Sequence, residues 1–345
     1  MPPKRRSLRT YAKALLPVTV LLLLAAVGLS AWLTRKTVYP QSAPYLVTPD
    51  GFRDLDARGL KATNETWANA DNTMARGWLL RGAEGAPAVL LLHGYDEDRS
   101  WLLNLGVTLN SITNYTVLWT DARGHGQNPP VKWTSFGGRE AEDAAAALNY
   151  LRGLKTSQGN TLIGPAIGIY GLEMGAYSAL FAAAQGDTSD VRALALDSVP
   201  NAPENILQIA LARHVGMSNP VFQYLARAGV KVYLQDSYKD TPICDAATRI
   251  LNRNILLLAG PEASELRAST MALSACLPGQ NQIETKTDAA PLGFHLPYLP
   301  GPESDVYNRR VIDFFNRTLR GPELSPRFRF PNAQTTPSPT PSATP

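Results

Sequence analysis

Four short patterns in this sequence hold side chains able to do chemistry, and they fall in a telling order. Leu90-Leu91-Leu92-His93-Gly94-Tyr95 is an apolar run ending in a His-Gly turn. Asp121-Ala122-Arg123-Gly124-His125-Gly126 follows the next apolar run. Gly171-Leu172-Glu173-Met174-Gly175 sets an acid between two glycines, where a tight turn would lift the central side chain clear of the backbone. Phe294-His295 comes late, just ahead of a last helical stretch. A carboxylate and an imidazole brought together can form an ion pair, or serve as nucleophile and general base.

At these residues the chain resembles the α/β-hydrolase superfamily, and within it the membrane-anchored Bem46-like and serine-aminopeptidase-like group. Phe136-Gly137-Gly138-Arg139-Glu140 through Asp143, and Asp197-Ser198, add to the likeness, which covers roughly residues 45–320. The resemblance implies a mostly parallel sheet with helices on both faces. It also implies that Gly171–Gly175 is the nucleophile elbow, G-x-S-x-G, whose serine sits on a sharp strand-to-helix turn. Both glycines are present, but Glu173 stands at the serine position, and Ser178 lies a full helical turn further on.

The other roles carry over residue by residue. The acid of the triad belongs three residues after Gly260, which is Ala263; Glu262 and Glu265 flank it as substitutes. His295 takes the general-base position, with Phe294 where a glycine is usual. The backbone N–H groups of Tyr95 and Met174 would form the oxyanion hole. A serine hydrolase needs a hydroxyl whose proton the histidine removes, and a carboxylate has none to give.

Two readings follow. In the first, Glu173 pairs with His295 and ordinary serine-hydrolase activity is lost, leaving a binding or structural role. In the second, Glu173 or an unrecognised nucleophile works with His295 on small ester, epoxide or haloalkane-type substrates, as an aspartate does in dehalogenases and epoxide hydrolases of this fold. Glu173 is one methylene longer than that aspartate, and a misplacement of about 1 Å can cost on the order of 10²-fold in rate.

The remaining candidates read as structural. His93 and Gly94 shape the oxyanion loop, while Asp121, Arg123 and His125 brace a turn. His214 reads as a surface residue, and Asp96-Glu97-Asp98 as a solvated acidic run. The histidines lack zinc-site spacing and no strand–GxGxxG–helix context occurs, so neither a metal nor a cofactor is expected.

The elements that must position these groups alternate along the chain. Residues 74–80 read as an early antiparallel strand, and 88–92, 116–119, 167–170, 193–196 and 255–259 as strands buried on both faces of a parallel sheet. Residues 282–285 make a weaker final strand. Helices are expected at 139–154, 174–185 and 306–319. Residues 197–250 read as a small helical lid over the carboxyl ends of the strands.

Charge and hydropathy complete the plan. Residues 1–13 carry Lys4, Arg5, Arg6, Arg9 and Lys13 with no acid, so the formal charge of +4 belongs to the N-terminus and the rest is near neutral. That distribution gives no basic groove for nucleic acid. Residues 14–33 hold no charge and have the length of a transmembrane helix. The stronger basic flank puts the N-terminus in the cytoplasm and the C-terminal domain outside the plasma membrane. A cleaved signal peptide is the competing reading. The expected plan is therefore a basic segment 1–13, a membrane helix 14–33, a linker 34–44, a hydrolase domain 45–330 and a Pro/Ser/Thr-rich disordered tail 331–345. Cys244 and Cys276, both outside, are either one disulfide or two buried thiols. A small molecule in the pocket is a candidate ligand; protein partners are unspecified.

Overall fold

The computed structural model describes residues 8–52, 55, 59–186, 188–216, 219–260, 264–288 and 302–320. The segments expected as the cytoplasmic stretch 1–13 and the tail 331–345 lie largely or wholly outside them.

An eight-stranded sheet carries the fold, in the order β1-β2-β4-β3-β5-β6-β7-β8. Its strands are β1 Ala62–Ala68, β2 Met74–Leu80, β3 Ala88–Leu92, β4 Thr116–Thr120, β5 Ile167–Leu172, β6 Val191–Asp197, β7 Asn254–Leu258 and β8 Gln282–Lys286. β1 pairs antiparallel with β2, and β2 with β4; every other pairing is parallel. β3, β4 and β5 are buried at every position, as strands covered on both faces must be.

The helices are α1 Leu8–Val38, α2 Leu103–Thr113, α3 Gly138–Gly153, α4 Met174–Ala183, α5 Pro203–Val215, α6 Pro220–Leu234, α7 Ile243–Ala247, α8 Ser264–Cys276 and α9 Pro302–Arg320. Two cores flank the sheet. One packs α3, α4, α7 and α8 against side chains such as Leu90, Ile169 and Leu194. The other packs α2 and α9 against Val89, Trp119 and Tyr170. Cys244 and Cys276 are joined as a disulfide, tying α7 to the end of α8, so the thiol alternative falls.

A third core lies at the carboxyl end of the sheet, where α5 and α6 cover the strand ends. The lid expected at 197–250 is thus made by these two helices, while Asp197 still belongs to β6 and α7 belongs to the main core. α1 also enters this third core, through Leu33 and Val38.

The expected linker needs correction. Helix α1 does not stop at residue 33 but runs on to Val38. Leu33, Thr34, Thr37 and Val38 are buried there against the lid, while Arg35 and Lys36 face outward. Tertiary burial of one face sustains the helix where the charges suggested an end. Residues 15–38 form a helix long and apolar enough to cross a membrane, with mean hydropathy 2.2 in its most apolar window.

Candidate functional site

Strand β5 leads into α4 through a turn that only small neighbours permit. A Cβ on Gly171 would lie 2.5 Å from the Gly175 carbonyl oxygen, and one on Gly175 would lie 2.3 Å from that of Leu92. Between them Glu173 is held at φ 51°, ψ −111°, a conformation that costs a non-glycine residue on the order of 1–3 kcal/mol. Its N–H donates to the Asp197 carbonyl at 2.9 Å, anchoring the turn to the end of β6. The side chain is fully buried.

Because β3 pairs in parallel with β5, with Leu92 opposite Gly171, the His93-Gly94-Tyr95 turn stands beside Glu173. A Cβ on Gly94 would touch the Glu173 Cβ at 3.4 Å. Tyr95 and Met174 therefore meet at this corner, and both belong to the same buried cluster as Phe136. His93 is fully engaged: Nδ1 bonds the Gly94 carbonyl at 2.7 Å, and Nε2 accepts the Ala122 N–H at 2.9 Å. With both ring nitrogens used, it fixes the turn.

Two further ionisable groups fill the corner, and neither stood out in the sequence. Arg213, in the last turn of α5, donates from Nη2 to Glu173 Oε2 at 3.0 Å and from Nη1 to the Tyr95 carbonyl at 2.5 Å. Glu97, 5% exposed, accepts the Gly94 N–H on Oε2 at 2.8 Å. Burial, reinforced by the neighbouring Glu173 charge, pushes the Glu97 carboxyl up to about 8. Burial also raises Glu173, and the Arg213 cation acts against that rise. We read the pair as Glu173 ionised against Arg213 and Glu97 protonated. Glu173 Oε1 has no hydrogen-bond partner among the described residues.

The acidic run is therefore not a solvated face. Asp98 is buried as well, accepting from the Ser100 N–H at 2.8 Å, and only Asp96 of the three reaches outward. His214 likewise is no ordinary surface residue. Its side chain is 9% exposed, its Nε2 lies 3.3 Å from Asp96 Oδ1, and its ring meets the edge of Tyr95. Packing of α5 onto the sheet end buries both sites.

The bracing group behaves as expected. Arg123 holds both Asp143 oxygens, at 2.8 and 2.6 Å, and reaches Asp71 at 3.2 Å. Asp121 takes the Tyr45 hydroxyl at 2.7 Å and Arg76 at 3.0 Å. His125 is wholly buried, and that burial lowers its ring to about 3, keeping it neutral.

An acid of the main sheet also lies next to the turn. Asp197 closes β6 and accepts Tyr307 and Ser198 hydroxyls at 2.6 and 2.8 Å. Burial raises it to about 7. Its Oδ2 meets Tyr307, whose hydroxyl also bonds that of Tyr170, on the side of the second core.

His295 and Glu262 lie outside the described residues. Glu265 falls in the first turn of α8, with its side chain undescribed. Among the described residues no cluster of three or more metal-ligating side chains occurs.

No protein-family model matches the sequence. No curated protein matches it. Solved structures do. A Pyrococcus furiosus esterase superposes with TM-score 0.58 at 18% identity, covering 82% of this chain and 98% of its own. An alpha/beta hydrolase from Penicillium sp. sh18 gives 0.54 at 17%, covering 75% and 99%. A dienelactone hydrolase from Anabaena variabilis gives 0.50 at 16%, covering 76% and 99%. Backbone similarity over most of the chain at such low identity carries one conclusion: the chain has the α/β-hydrolase fold.

Proposed function

We propose that this chain is a single-pass plasma-membrane protein whose external α/β-hydrolase domain has given up serine-hydrolase chemistry and serves a binding or structural role. Its likeness, on this reading, is to the membrane-anchored Bem46-like group. The observation that carries the reading is Arg213, laid across the Glu173 carboxylate and the Tyr95 carbonyl. In an active hydrolase, the space between elbow and oxyanion turn must admit a carbonyl group. Here the Arg213 guanidinium spans the gap between the Tyr95 carbonyl and the Glu173 carboxylate, which supports a closed site.

Electrostatics favour this closed arrangement. Glu173 sits at the N-terminus of α4, where the helix dipole stabilises an anion. Arg213 and His214 sit in the last turn of α5, where cations are favoured. His295, as an imidazolium, would be a fitting partner for the unpaired Glu173 Oε1. The alternative, attack by Glu173 on an alkyl carbon, requires its carboxylate to face substrate, and the ion pair must first open.

The test is turnover of small p-nitrophenyl esters, with epoxides and haloalkanes in parallel. The reading expects the wild type to stay at the uncatalysed rate, as does Glu173→Gln. Turnover by the wild type that Glu173→Gln abolishes would establish the carboxylate hydrolase instead.

A further inference from the structure

Outside the hydrolase corner, α1 and α6 lie side by side and run in the same direction. Ser30 Oγ donates to the Leu225 carbonyl at 2.7 Å, and the Tyr39 and Tyr233 hydroxyls bond each other further along. Between these points the helices cross closely at Gly229, where a Cβ would lie 2.2 Å from Thr34 Oγ1. Small residues at such a crossing are the usual device of helices that meet in lipid.

Beside the crossing runs an open groove of about 830 Å³. Leu23, Val27 and Ala31 of α1 form one wall, and Leu225, Ala228 and Val232 of α6 the other. That volume is in the range of small-molecule sites, about 300–1,000 Å³. The apolar surface does not end at the groove. Val221, Tyr224 and Val232 of α6 are 63%, 72% and 77% exposed. A lid helix in water has no reason to present such a face.

The start of α6 suits a dry surrounding. Pro220 has no N–H to satisfy, and Asn219 Oδ1 accepts the Val221 N–H at 2.8 Å. Because Leu225 is level with Ser30, the helix begins about 8 Å farther toward the membrane than that contact, at 1.5 Å per residue. At the other end stands Arg35, which lines the groove and lies over the Tyr39 ring. Among the described residues no carboxylate lies within ion-pair distance of Arg35.

We propose that this groove holds an acyl chain of an anionic glycerophospholipid of the surrounding membrane, with the lipid phosphate at Arg35. The proposal rests on the reading that α1 crosses a bilayer, and makes α6 a lid helix seated in the outer leaflet. The source is fixed by position: the lower wall of the groove is the membrane helix itself. Since α6 and α5 jointly cover the sheet end, lipid occupancy would also hold the lid in place.

The experiment uses the full-length protein in phosphatidylcholine vesicles containing phosphatidylglycerol with a photoreactive diazirine in its acyl chain. Adducts are expected on α1 and on the 225–233 segment of α6. Ala228→Trp, at an exposed wall position, should cut the α6 adducts several-fold without changing those on α1. Arg35→Gln should cut capture of the phosphatidylglycerol probe, and leave a phosphatidylcholine probe unchanged. Adducts confined to α1 would overturn the groove proposal while sparing the anchor. Equal capture of both probes by the wild type would overturn the anionic headgroup. No adducts on α1 would overturn the membrane reading, and this proposal with it.

Discussion

Arg213 and Glu173 meet at 3.0 Å, one on the lid and the other on the strained turn after β5. The contact joins residues of unequal exposure: the Glu173 side chain is sealed, and that of Arg213 is 28% exposed. The lid is thereby fastened to the turn that the proposed reading takes as the nucleophile position.

Arg213→Ala should destabilise the domain, since it leaves a buried carboxylate without its cation. Breaking a buried pair costs about 3–5 kcal/mol. The lower end is expected here, because Arg213 is partly solvated and Glu173 can take up a proton. Arg213→Ala combined with Glu173→Gln should recover most of the loss. Urea denaturation of the three variants measures this, and a double variant no better than the single would disprove the coupling.

Glu97 predicts a pH dependence with a definite sign. Its folded value of about 8 lies above the ordinary 4.5, so across that interval the folded state binds more protons than the unfolded one. Stability should therefore fall as pH rises from about 5 to 8, with a slope of up to about 1.4 kcal/mol per pH unit from this group. Glu97→Gln, which can still accept the Gly94 N–H, should flatten the profile. Chemical denaturation at stepped pH reads the slope directly.

The Cys244–Cys276 bridge closes a 32-residue separation. Loop-closure entropy puts its contribution at roughly 3–4 kcal/mol. Cys244→Ser should lower the denaturation midpoint accordingly, and dithiothreitol should lower that of the wild type but not of the variant.

Gly175→Ala should prevent stable folding of the turn, because the new methyl meets two backbone carbonyls, of Leu92 and His93, at 2.3 and 2.6 Å. Expression of soluble domain and its thermal midpoint are the readouts. By contrast Gly153→Ala, with nothing within 4 Å, should be neutral or slightly stabilising.

Much of this fold was legible because its central strands are short apolar runs that only a doubly covered sheet explains. β1 escaped notice because Ala62–Ala68 is a polar edge strand with a single buried residue, Trp67. α2 escaped because Gly106 interrupts it, and that glycine exists to admit the Trp119 ring. At the site, the resemblance singled out Glu173, Tyr95 and Met174, and the parallel pairing of β3 with β5 brings them to one corner. Arg213 was not, since it reaches Glu173 from 40 residues away and nothing in its neighbourhood announces it. Glu97 was misread because an acidic run implies solvent, whereas the lid buries it beside another carboxyl.

The most direct measurement is labelling of the full-length protein with a fluorophosphonate probe, which reacts only with an activated hydroxyl. No adduct should form on the wild type, whose turn after β5 offers a carboxylate clamped by Arg213. A stoichiometric adduct on any serine of the wild-type protein would contradict the account.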